Sequence, residues 1–132
     1  MISKTLILTV FLTGMASFAA ACIDDFNEGK AFHNQGVANN NEASKLYQWV
    51  TDNDSDLSSS QYCAHITDIR KFYSEASYSF RRAVETLDKA ASQCRGDNRT
   101  VVINTRSLSA NNLQHTLTDG EMIQGLFYEY CS

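Results

Sequence analysis

The chain has 132 residues, no proline, six glycines and 43% hydrophobic side chains. Fifteen acidic residues outnumber eleven basic ones, giving a net charge of −4 at pH 7. That balance argues against nucleic acid and anionic membrane surfaces as partners, and the lack of proline argues for helices.

Residues 1–21 read as a secretory signal peptide. Lys4 supplies a short positive start, Leu6 to Phe18 an apolar run, and Ala19, Ala20 and Ala21 a small-residue cleavage site. The run is too short to span a bilayer, and no later stretch is apolar enough. Residues 22–132 are then expected to form a single helical domain, secreted or periplasmic. All four cysteines, Cys22, Cys63, Cys94 and Cys131, fall in this part. An even count after a signal peptide predicts two disulfides in an oxidising compartment. The alternative makes Cys22 a lipid-anchored N-terminus, but the usual leucine three positions earlier is missing and acylation would strand an odd thiol.

Asp25 with Glu28 marks a helix start, and Asn39 with Glu42 offers a second capping box. Gly36 and the run Asn39–Asn41 predict a break between two short helices. Gly29, Ala31, Phe32, Gly36, Ala43 and Tyr47 together resemble the small-and-aromatic pattern of a tetratricopeptide hairpin, over residues 26–50 only. The resemblance implies a helix–turn–helix there. Thr51 to Ser60 is an acidic connector. Its alternating acids suggest a calcium loop, but Leu57 and Cys63 occupy the positions of the turn glycine and the bidentate glutamate.

One long amphipathic helix is predicted over Ser58–Arg95. Cys63, Ile66, Ile69, Tyr73, Ala76, Phe80, Ala83, Leu87, Ala90 and Cys94 recur at steps of three and four. Ser58 with Gln61 makes a capping box, and Gly96 stands where a terminating glycine belongs. Beyond it, Thr100–Ile103 favours an extended segment, Ser107 to Leu117 a weak helical turn, and Thr118 with Glu121 caps a last helix. Gly125 within that helix suggests a close backbone approach.

Cys63 and Cys94 would lie roughly 46 Å apart on the long helix, at about 1.5 Å per residue, and cannot pair. Two connectivities remain. Cys22–Cys94 with Cys63–Cys131 suits a continuous first helix, whereas Cys22–Cys63 with Cys94–Cys131 suits a chain that doubles back at Gly36–Asn41. The expected break favours the second.

His33, His65 and His115 stand alone on separate segments, without helix-spaced partners for a metal. No haem-attachment, phosphate-loop or nucleophile-elbow motif is present. No catalytic residue, metal ligand or cofactor is assigned. Helical spacing places Tyr78 opposite the apolar stripe, with Lys71, Arg81 and Arg82 around it, as a possible partner-binding patch. Alternatively, the C-terminal segment covers Tyr78.

The expected fold is therefore all-α: a small disulfide-stapled bundle of four or five segments around the helix 58–95. The expected role is a non-catalytic module that binds another protein, with an inhibitor or immunity-type protein as one form. A small-ligand or metal carrier with a pocket between helices is the first alternative, and a lipid-anchored envelope protein the second.

Overall fold

A computed structural model describes residues 20–132, so all but the last two residues of the expected leader lie outside it. Three long helices follow one another: α1 (Ala20–Asn53), α2 (Ser59–Gln93) and α3 (Gly96–Tyr130), with a single 3-10 turn at Asp54–Asp56. No strand occurs among the described residues. The fold is all-α and stapled by two disulfides.

The central helix is the one its apolar stripe predicts. Ile66, Ile69, Tyr73, Ala76, Phe80, Ala83, Leu87 and Ala90 are all buried. At its start, Ser58 Oγ accepts from the Gln61 amide at 3.1 Å, and Gln61 Oε1 accepts from the Ser58 amide at 2.9 Å. Cys94 ends it in an extended conformation, and Gly96, at φ +61°, turns the chain into α3.

The expected break at Gly36–Asn41 does not form; α1 runs through it without interruption. Its glycines serve packing instead of a turn. A Cβ on Gly29 would lie 2.6 Å from Leu87 Cγ, and one on Gly36 would lie 2.7 Å from the Phe80 ring. Ala43 and Val50 continue the seven-residue step and join a cluster with Tyr73 and Ile66. A row of small side chains on α1 thus admits a row of large ones on antiparallel α2. Asn39 and Glu42 form no cap and lie inside the helix.

The segments expected after Gly96 are likewise one helix. Val102 is buried in it, and Thr118 donates to the Gln114 carbonyl at 3.0 Å as a residue inside a helix does. Helix α3 runs parallel to α1, as two buried rungs show. His33 Nδ1 lies 2.8 Å from Ser109 Oγ, and seven residues on, Thr116 Oγ1 donates to Asn40 Oδ1 at 3.0 Å. Gly125 has no neighbour within 4 Å of a Cβ, so the close approaches belong to Gly29 and Gly36.

With α1 continuous, the disulfides are Cys22–Cys94 and Cys63–Cys131, with Cα atoms 5.1 and 5.5 Å apart. This corrects the pairing that the expected break favoured. Each bond closes one end of the bundle. The sulfur of Cys22 is committed to Cys94 and has no valence left for a thioether lipid.

Candidate functional site

A groove of about 680 Å³ runs between α2 and α3. From α2 it takes Arg70, Lys71, Tyr78 and Arg81, which share one face of that helix beside the buried stripe. Small side chains carve it: Ser74 and Ser77 line α2, and Gly120 of α3 would bring a Cβ only to ordinary contact with Tyr73 Cβ, 3.6 Å away. Glu121 is the groove's one lining carboxylate among the described residues.

The sequence-predicted patch is largely brought together here. Tyr78 is 61% exposed, so the C-terminal segment does not cover it. Lys71 makes only a long pair with Glu75, at 4.0 Å between two exposed side chains. Arg81 has no ion-pair partner among the described residues. Arg82 departs from the group. It pairs with Glu85 at 2.9 Å and sits 5.4 Å from the centre of the Phe32 ring, on the α1 side. Arg70, which the sequence reading missed, lines the groove and stacks 4.0 Å from the Phe127 ring centre. Its spacing of four residues from Ser74 and eight from Tyr78 was the available signal.

The three histidines sit on three different helices. His33 is fully buried, its ring edge-on to Phe80 at 5.6 Å; His65 packs against Trp49 at 5.1 Å; and His115 is exposed. Among the described residues, no group of three or more His, Cys, Asp or Glu comes together to hold a metal ion. No described helix is long and apolar enough to cross a membrane. Compared with known proteins, the chain finds no significant match among family models, curated proteins or solved structures.

Proposed function

We propose that this chain is a non-catalytic, secreted or periplasmic module that binds an acidic segment of a partner protein in the α2–α3 groove. An inhibitor or immunity-type protein would act in this way. The observation that carries the reading is Tyr78, exposed between Lys71 and Arg81 on a chain with an acidic net charge. Tyrosine and arginine contribute disproportionately to protein interfaces, because each adds contact area and directed hydrogen bonds at modest entropic cost. Cations on the groove wall complement a carboxylate-bearing partner and speed its encounter. The two disulfides are compatible with an oxidising compartment, and Cys63–Cys131 ties the groove's α2 wall to its α3 wall at one end of the bundle.

The test is capture from an envelope extract by the immobilised, oxidised protein. A partner retained by the wild type and by Arg82→Ala, but lost by Tyr78→Ala combined with Arg81→Ala at unchanged Tm, supports the reading. Equal retention by the folded double variant would place binding elsewhere.

A further inference from the structure

The bundle end closed by Cys63–Cys131 holds a second concavity, of about 550 Å³, which shares no residue with the α2–α3 groove. Tyr47 of α1, Tyr62 of α2 and Tyr130 of α3 line it, together with Leu57, Leu126 and the carboxylate of Asp54. Tyr62 and Tyr130 meet edge to face, with ring centres 6.3 Å apart at 89°. Neither lysine nor arginine lines this cup among the described residues.

Its electrostatics have one sign. The Tyr62 hydroxyl is pushed above its ordinary range, first by burial and then by Tyr47, Tyr130, Asp54 and Glu129. Glu129 also hydrogen-bonds Tyr130 and raises that hydroxyl. With the carboxylate of Asp54 in the wall, Glu129 nearby and no lysine or arginine lining the cup among the described residues, the site is unfavourable for an anion and favourable for a cation. The walls then select the kind of cation. A hard metal ion needs about six oxygen ligands, several of them charged, whereas here a single carboxylate and the hydroxyls of Thr51 and Ser59 stand among aromatic and aliphatic side chains. Aromatic rings attract a cation through their quadrupole, and apolar walls suit methyl groups over a hydration shell.

We infer that this cup binds a small organic cation of the quaternary-ammonium class, with its methyl groups against Tyr47, Tyr62 and Tyr130 and its charge offset by Asp54. The site is independent of the α2–α3 groove, so either can fail without the other.

The experiment titrates the oxidised protein with choline chloride and, separately, with dimethylbutanol, its uncharged carbon analogue, following tyrosine fluorescence and ring NMR signals. Choline should bind saturably and about tenfold tighter than the analogue. Asp54→Asn, in the exposed 3-10 turn, should weaken choline about tenfold at unchanged Tm. Tyr130→Leu, at a side chain 60% exposed, should also weaken it without unfolding the bundle. Equal binding of the analogue would reduce the cup to an apolar cleft and overturn the inference. So would indifference to Asp54→Asn, or no saturation by choline. A last arm uses phosphatidylcholine vesicles. Binding to vesicles without binding of free choline would assign the cation to a lipid surface and overturn the small-molecule reading.

Discussion

Towards α2, helix α1 presents Cys22, Gly29, Gly36, Ala43 and Val50, each seven residues from the last; towards α3 it presents His33 and Asn40 in the middle of the bundle. The first seam is steric. Two missing Cβ atoms let Leu87 and Phe80 press onto the α1 backbone, and the attraction comes from burial and close contact. The second seam is directional: each rung must meet a specific partner, and a slip of one residue would break both. Such bonds add only about 1 kcal/mol each, because water offers the same groups similar partners when the chain is unfolded. One helix therefore draws its stability from one side and its register from the other.

The largest test of that division is Phe80→Ala, which should cost about 3–5 kcal/mol by denaturant unfolding of the oxidised protein. A loss below about 1 kcal/mol would show that the glycine seam collapses onto the cavity. Next comes alkaline pH, through another large side chain of the same row. Burial pushes the Tyr73 hydroxyl from 10.0 to about 12; Asp119 and Tyr47 push the same way, and the Ser44 hydroxyl partly offsets them. The folded state holds the neutral phenol, so the unfolded chain loses the proton first. The contribution is intact below pH 10 and falls by up to about 1.4 kcal/mol per pH unit until about pH 12. Comparing urea midpoints near pH 9 and pH 11 measures this slope, and Tyr73→Phe should flatten it.

The glycines sharpen the contrast at a smaller scale. Gly36→Ala forces the Phe80 ring aside at a cost of about 1–3 kcal/mol, less up to about 1 kcal/mol from improved helix propensity. Gly125→Ala, with open space around it, should gain about 1 kcal/mol by thermal melting. A Tm lowered by the Gly125 change and left alone by the Gly36 change would reverse the steric assignment. The smallest effect is expected at a rung. Asn40 Nδ2 is buried without a hydrogen-bond partner among the described residues, so the polar pair is already imperfect. Asn40→Leu with Thr116→Val should therefore leave stability within about 1 kcal/mol, or raise it. The cost should appear instead as scrambled disulfides after oxidative refolding, detected by peptide mapping.

The same division decides what the sequence disclosed. The α2 stripe is apolar and recurs at helical spacing, so Ser58, Gln61 and the buried row from Ile66 to Ala90 were legible. The inward face of α3 is Val102, Thr105, Ser109, Asn112, Thr116, Asp119 and Ile123, helical in spacing but mostly polar. A hydrophobicity reading sees no stripe there, and the short run Thr100–Ile103 then passes for an extended segment. In α1 the middle of the inward face is Gly29, His33, Gly36, Asn40 and Ala43, which carry little apolar signal, and the glycines and asparagine invite a turn. Lys71, Tyr78 and Arg81 were legible as one face of a recognised helix. The tyrosine cup was not, because its rings come from three elements whose alignment depends on α1 and α3 being continuous.

The two disulfides close overlapping covalent rings, one spanning residues 22–94 and the other 63–131, with most of α2 common to both. Every peptide bond between Cys22 and Cys131 lies inside at least one ring. A protease that cuts the connector at Asp54–Ser58, or the Arg95–Gly96 bond, therefore separates no fragment: the nicked molecule stays one covalent body, heavier only by the added water. Its pieces come apart on a gel only after reductant is added. In a compartment rich in peptidases, that wiring turns a first cleavage from a release of fragments into a scar the bundle can carry.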